Sequence, residues 1–150
     1  MEASGSGTAR VLVVAHKTAA TPALVDAVRL RAERGFAEFH LLVPAPHPTL
    51  LHHEVSPPGV TEGEQVLALA LPLLAEATGG IVDGSVSRRH DPMDAIEETL
   101  YNADYDEIIL STLPRAVSRW LHIDLPSRVA HLGLPVTTVV AHESVDVTRA

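Results

Sequence analysis

Short apolar segments alternate with segments of helical periodicity along this chain, and that alternation limits the folds open to it. Val11–Ala15 consists of apolar residues, three of them β-branched, which is typical of a strand covered on both faces. Read with the intervening helices, the pattern βαβ(α)βαβαβ predicts an α/β fold with a five-stranded parallel sheet and helices on both faces. The predicted strands are Val11–Ala15, Phe39–Val43, Ile81–Ser87, Glu107–Leu110 and Pro135–Ala141.

The helices between these strands have recognisable starts. Pro22 and Pro92 each follow a residue whose side-chain oxygen can cap a helix, and proline suits the first helical position. A second helix is predicted over Thr61–Ala77, and Pro72 inside it should kink or split it. A short fourth helix is predicted over Pro126–Leu132.

Length and composition indicate one domain spanning residues 1–150, with polar tails at 1–9 and 143–150. The chain has no cysteine, which excludes thiolate metal sites and cysteine nucleophiles. A formal net charge of −8 and an aromatic content of 3% argue against a nucleic-acid partner. The polar start lacks the features of a signal peptide, and no apolar run is long enough to span a membrane. We therefore expect a cytoplasmic protein with no membrane partner.

Polar and basic residues follow the ends of the predicted strands. The ligand crevice of an open α/β sheet lies outside the carboxyl ends of its strands, so these residues should converge on one pocket. Hydroxyl, lysine and arginine side chains there would suit a small anion. The candidate ligand-binding residues are His16, Lys17, Thr18, Val43, Ser111, Thr112, Arg115 and Arg119.

Two of these assignments have plain structural alternatives. Arg115 and Arg119, together with Arg128, could instead pair with nearby acids such as Asp124 or remain in solvent. His16 could hydrogen-bond a backbone carbonyl rather than a ligand.

Other polar clusters carry weaker signals. His47, His52, His53 and Glu54 lie in a proline-rich segment, but their spacing matches no metal-binding pattern, so a surface loop and no metal are expected. Residues 84–87, Gly-Ser-Val-Ser, lack the second glycine of a hydrolase elbow. No set of nucleophile, base and orienting group can be named, which favours a non-enzymatic role.

Three segments in order resemble the universal stress protein family. Residues 90–96, HDPMDAI, resemble that family's Gly-Asp-Pro-x-x-Ala-Ile segment, residues 103–111 its Ala-Asp-x-Ile-Val-x-Gly strand, and residues 133–139 its Cys-Pro-Val-x-x-Val segment. The resemblance implies the strand order 3-2-1-4-5 of the adenine nucleotide alpha hydrolase-like fold. It also implies a nucleotide site, with ATP or AMP as the expected cofactor, and a homodimer formed through the fifth strand.

The phosphate loop of that family is changed here. The family's Gly-x-x-Gly, nine residues, then Gly-Ser or Gly-Thr, keeps its spacing, but Ser111, Pro114 and Asp124 replace the glycines and Leu125 the final hydroxyl residue. His16 stands where the family's aspartate contacts the adenine and ribose region. The sequence therefore predicts a stress-response or regulatory protein with a remodelled nucleotide or small-anion pocket. A dimeric interaction module that binds no nucleotide and a weak nucleotide hydrolase remain the alternatives.

Overall fold

The described residues form a five-stranded sheet in which every strand is parallel to its neighbours. The computed structural model describes residues 8–45, 61–114 and 117–141. The order across the sheet is β3-β2-β1-β4-β5, which confirms the predicted fold and strand order. The strands are β1 (Ala9–Val14), β2 (Ala37–Val43), β3 (Val82–Val86), β4 (Glu107–Thr112) and β5 (Val136–Val140).

Helices cover both faces of the sheet. They are α1 (Pro22–Glu33), α2 (Glu62–Thr78), α3 (Pro92–Asn102), α4 (Arg119–His122) and α5 (Leu125–Ala130). On one face, Val11, Val13 and Leu41 pack with residues of α1 and α2. On the other, Leu12, Ile108 and Leu110 pack with residues of α3 and α5. Burial on both faces explains why β1 is a continuous apolar run.

Helix α2 has strong signals at both ends and stays continuous between them. The Thr61 hydroxyl accepts from the Glu64 amide, the Glu64 carboxylate accepts from the Thr61 amide, and Gly79 ends the helix in a left-handed conformation with φ 75°. Of the two expected effects of Pro72, a kink or a split, the split does not occur, because the helix runs without a break from Glu62 to Thr78. Ala70 and Leu74 are fully buried on either side of it, so packing against the sheet holds the helix together.

The segment between β4 and the last helix contains more helix than the sequence predicts. Arg119 begins the short helix α4, which was not predicted, and α5 begins at Leu125, one residue before the predicted start. The Ser118 hydroxyl accepts from the Leu121 amide at 3.0 Å and so caps α4. At the other end of the chain, Ala9 belongs to β1, so the strand begins inside the predicted N-terminal tail.

Backbone hydrogen bonds tie together the loops that leave the carboxyl ends of the strands. The Ala45 amide donates to the Arg89 carbonyl at 3.1 Å, and the Ala141 amide donates to the Thr112 carbonyl at 2.8 Å. These bonds hold the segments after β2, β3, β4 and β5 close to the rim of the sheet. Within the described parts of the chain, no helix combines the length and apolarity needed to cross a membrane.

Candidate functional site

A cavity of about 710 Å³ opens at the carboxyl rim of the sheet, between the segments that follow β1 and β4. The strand order places β2 on one side of β1 and β4 on the other, which is the topological switch point where α/β proteins bind ligands. The volume lies within the range of small-molecule sites. The lining residues are His16, Lys17, Thr18, Ala45, Glu62, His90, Asp91, Pro92, Ser111, Thr112, Leu113, Val117, Ser118, Arg119, Trp120 and Ile123.

A buried hydroxyl pair joins the two sides of this cavity. The Oγ1 atom of Thr18 and the Oγ atom of Ser111 lie 2.5 Å apart, although 93 residues separate them in the chain. Both residues are about 2% exposed or less. The Thr18 carbonyl also accepts from the Thr21 hydroxyl at 2.7 Å, so the loop after β1 is fixed at both Thr18 and the start of α1. The floor of the cavity is therefore held by side-chain hydrogen bonds.

Two other polar atoms at the cavity are buried without a protein partner. Among the described residues, Nε2 of His16 and Oγ1 of Thr112 are buried and make no hydrogen bond. Buried polar atoms are usually hydrogen-bonded, because leaving one unpaired costs on the order of 1–3 kcal/mol. Both residues line the cavity, so these unpaired atoms lie beside the space that a ligand would occupy.

Burial changes the protonation of His16. Loss of solvent lowers the pKa of His16 below its ordinary value of 6.5, and the nearby Lys17 lowers the pKa further. The Glu62 carboxylate acts in the opposite direction and raises the pKa of His16, but less strongly than burial lowers it. His16 is therefore neutral at pH 7 in the unliganded protein.

The cavity wall carries charges of both signs. Lys17 and Arg119 supply the positive charges, and Glu62 and Asp91 supply the negative ones. Part of the Asp91 carboxylate is already engaged, because it accepts from the Met93 amide at 2.8 Å and caps α3. The arrangement offers an anion two cationic side chains and several hydroxyl donors.

The structure brings together six of the eight residues predicted from the sequence. His16, Lys17, Thr18, Ser111, Thr112 and Arg119 all line the cavity. Val43 is not among the lining residues. It is fully buried in the core formed with α1 and α2, and Ala45, two residues later, lines the cavity instead. Arg115 lies outside the described residues, as does the predicted histidine loop from His47 to Glu54.

Other residues of the cavity were not predicted from the sequence. Glu62 begins α2, and His90 and Asp91 immediately precede α3. A parallel sheet places helix starts at the rim where strands end, so the capping signal at Asp91 and Pro92 was the available clue. Trp120 has two contacts of interest. It packs against the core beside α5, and it also lines the cavity.

Asp124 adopts a backbone conformation that favours glycine. Its φ of 57° and ψ of 41° lie in the left-handed region, and it is the only described non-glycine residue with positive φ. Its side chain makes no capping hydrogen bond to α5. The left-handed turn at Asp124 places a carboxylate next to the cavity-lining residue Ile123.

The described residues hold no group of three or more histidine, aspartate or glutamate side chains that could bind a metal ion. The described cavity offers hydrogen-bond donors and charged side chains of its own. It suits reversible binding of an oxygen-rich anion.

Comparison with known proteins defines the class of fold. A universal stress protein from Archaeoglobus fulgidus superimposes with a TM-score of 0.61 and 16% identity, covering 87% of this chain and 93% of that one. The A. fulgidus universal stress protein in complex with dAMP superimposes with a TM-score of 0.56 and 16% identity, and the match covers 89% of this chain and 98% of that one. A protein of the universal stress protein family from Burkholderia pseudomallei superimposes with a TM-score of 0.59 and 16% identity, and the match covers 89% of this chain and 96% of that one.

This chain thus has the fold of these universal stress proteins over 87–89% of its length. No family model matches the sequence, and no curated protein is significantly similar to it. The likeness is one of three-dimensional structure.

Proposed function

We propose that the protein is a non-enzymatic regulatory protein that binds a small oxyanion or a nucleotide phosphate in the cavity at the carboxyl rim of the sheet. The observation that carries this proposal is the pair of buried, unpartnered atoms, Nε2 of His16 and Oγ1 of Thr112. An entering oxyanion would accept hydrogen bonds from both. Lys17 and Arg119 would balance its charge.

Side-chain donors take the role that glycine amides would otherwise have. Glycine lets backbone amides approach a phosphate closely, and Pro114 has no amide to offer. The Thr112 hydroxyl lies at the same rim and can donate instead, as can whichever hydroxyl of the Thr18–Ser111 pair does not donate to the other. We therefore expect a ligand position different from that of a glycine-rich phosphate loop.

A nucleoside monophosphate is a suitable size for this cavity. One solved structure with the same fold is a complex with dAMP, which makes dAMP and AMP reasonable first ligands to test here. A cavity of about 710 Å³ is large enough for such a molecule. We propose AMP-sized ligands ahead of ATP, because Asp124 would place a carboxylate near a longer phosphate chain.

Titration calorimetry tests the proposal. The unmodified protein is titrated with dAMP, AMP, ATP, phosphate and sulfate, and the Arg119→Ala variant is titrated with each ligand that binds. A charge-assisted contact contributes about 1.5–3 kcal/mol, so Arg119→Ala should weaken binding roughly ten- to hundredfold. Arg128→Ala is the matched control, because Arg128 is exposed on α5 and does not line the cavity.

If none of the five ligands binds the unmodified protein at millimolar concentration, the binding proposal is wrong. Equal losses in Arg119→Ala and Arg128→Ala would mean that only overall charge matters and that the cavity is not the site.

We further propose that the protein forms a homodimer through β5. This strand lies at the edge of the sheet, and Val140 is 43% exposed there. An apolar edge strand with unpaired backbone groups favours pairing with a second copy. Light scattering at micromolar concentration tests this, and a monomer mass would contradict it. A dimer that binds none of the five ligands would support the interaction-module alternative.

A further inference from the structure

The unpartnered atoms of the cavity belong to groups of different chemistry. Thr112 is 2% exposed, and its hydroxyl can rotate to donate or accept whatever the pH. His16 is titratable, and whether its buried Nε2 carries a proton depends on what lies next to it. An anion placed between them would contact the Thr112 hydroxyl, which can donate at any pH, and the His16 imidazole, whose protonation depends on pH.

We propose that a doubly charged oxyanion binds between His16 and Thr112 and that its binding transfers one proton from solvent to the His16 imidazole, so that the site binds more tightly in acid. This inference rests on the proposed anion site and specifies its ligand class and its regulation. The proton adds to an imidazole nitrogen of His16. No covalent bond to the ligand forms or breaks.

The physical basis is a change in what surrounds the imidazole. Without a ligand, burial is the largest influence on His16, and it favours the neutral ring. A dianion within hydrogen-bond distance favours the imidazolium, because the positive ring then gains a charge-assisted contact in a site of limited solvent access. The ligand and the proton therefore bind cooperatively.

The other charged groups of the cavity set the strength of this coupling. Glu62 at the start of α2 favours the protonated ring, and Lys17 on the same loop opposes it. His90 and Asp91 face the cavity from the segment before α3, and Arg119 faces it from α4. An anion also offsets the repulsion by Lys17, which further favours protonation of His16.

The inference selects one class of ligand. The sulfate ion and ionised phosphate monoesters are doubly charged and offer several acceptor oxygens. A neutral nucleoside has no charge with which to drive proton uptake. We therefore expect dAMP, AMP and sulfate to share the coupling and adenosine to lack it.

Sulfate is the best probe because it stays a dianion across the pH range in which histidine titrates, whereas phosphate esters titrate near pH 6 themselves. Calorimetry from pH 5.5 to 8 should show sulfate affinity rising as pH falls, by up to about tenfold per unit, the limit for one coupled proton. Repeating the titrations in buffers of different ionisation enthalpy should give proton uptake approaching one per sulfate.

Three variants test which histidine takes up the proton when sulfate binds. His16→Gln keeps a hydrogen-bond donor but cannot titrate, so it should still bind sulfate and should lose most of the pH dependence. His122→Gln is the matched control, because His122 is exposed on α4 and does not line the cavity. His90→Gln tests the second histidine of the cavity and should keep the dependence seen in the unmodified protein.

The possible outcomes separate the two proposals. If no anion binds the unmodified protein, the proposed function is wrong and this inference falls with it. If sulfate binds equally well at every pH, or if His16→Gln keeps the full pH dependence, the anion site stands and the proton coupling is wrong. A dependence that disappears in His90→Gln instead would also overturn the assignment to His16.

Discussion

Asp124 shows how one residue can keep a turn while changing its chemistry. It adopts the left-handed conformation at the start of α5, where its side chain forms no capping hydrogen bond. Left-handed backbone costs most L-residues roughly 1–2 kcal/mol and aspartate somewhat less, while glycine avoids the cost. The carboxylate is therefore not required for the turn.

Substitution at Asp124 should reveal this strain. We expect Asp124→Gly to be as stable as the unmodified protein or more stable by up to about 1 kcal/mol, and Asp124→Ala to be less stable than Asp124→Gly by about 1 kcal/mol. Urea unfolding measures both. At the exposed helical position Ser127 the order should reverse, with alanine more stable than glycine. Equal stabilities of Asp124→Gly and Asp124→Ala would contradict the argument.

At the scale of elements, α2 approaches β3 closely because glycine occupies the contact. A Cβ atom added at Gly84 would lie 2.6 Å from Cδ2 of Leu67 and 3.1 Å from the Leu41 carbonyl oxygen. Gly63 at the start of α2 is similarly close to the Val86 side chain. The helix–sheet distance therefore depends on the absence of side chains at these positions.

Gly84→Ala should overpack this contact. The Leu67 side chain can move, but the Leu41 carbonyl belongs to the sheet, so we expect a loss of about 1–3 kcal/mol in the free energy of unfolding. Gly80→Ala is the control, because a Cβ there meets nothing within 4 Å. Denaturant unfolding compares the variants. A Gly84→Ala protein as stable as Gly80→Ala would show that α2 shifts away at little cost.

The edge strand β5 allows a separate test of dimer formation. The Ile108 amide donates to the Pro135 carbonyl and the Ala141 amide donates to the Thr112 carbonyl, so alternation along the strand directs the Thr138 amide to the open edge. Thr138→Pro removes an outward donor and leaves the pairing with β4 intact. We expect this variant to fold, with far-ultraviolet circular dichroism unchanged, and to be monomeric by light scattering.

Thr138→Ser keeps the amide and should remain dimeric. A dimer that survives Thr138→Pro with undiminished affinity would place the interface on another surface.

Across the whole molecule, two half-buried histidines link stability to pH. Burial lowers the pKa of His16 and likewise that of His40. The Nε2 atom of His40 lies 2.8 Å from the Oγ atom of Ser85 on β3. Below about pH 6.5 the unfolded chain binds protons at these two histidines more readily than the folded protein does. Their contribution to stability is therefore complete above that pH and is lost as the pH falls toward the folded-state values.

We expect the free energy of unfolding to fall between pH 7 and pH 5.5, measured by urea unfolding at each pH. His16→Gln should reduce the slope, because glutamine does not titrate, whereas the exposed His122→Gln should leave it unchanged. A slope that is the same in the unmodified protein and His16→Gln would contradict the role of His16. If the proton-coupled anion site is correct, saturating sulfate should reduce the slope as well.

The fold could be predicted from the sequence because its strands are short apolar runs such as Val11–Ala15, whose burial on both faces leaves a direct compositional signal. Periodicity alone did not give the strand order, which came from the family resemblance. Short α4 was missed because four residues carry no helical period, and its cap at Ser118 is a common residue type.

The lining of the cavity was predictable where residues end β4 or come shortly after β1, as with Ser111 and Thr18. Val43 was misassigned because the direction of a side chain at a strand end depends on packing rather than on position in the chain. Glu62 was missed because it reaches the rim only through the placement of α2, which the local sequence does not encode.

Trp120 is the only tryptophan of the protein, and it lines the cavity. Indole fluorescence from an unlabelled sample therefore originates at a single known place, next to the anion that we propose binds there. We expect the emission intensity of Trp120 to change when a ligand occupies the cavity, so stopped-flow fluorescence can measure the rates of association and release. Because the chain also contains no cysteine, one introduced thiol on a distant helix could carry an acceptor dye, and energy transfer from Trp120 would then report distance changes across the molecule during binding.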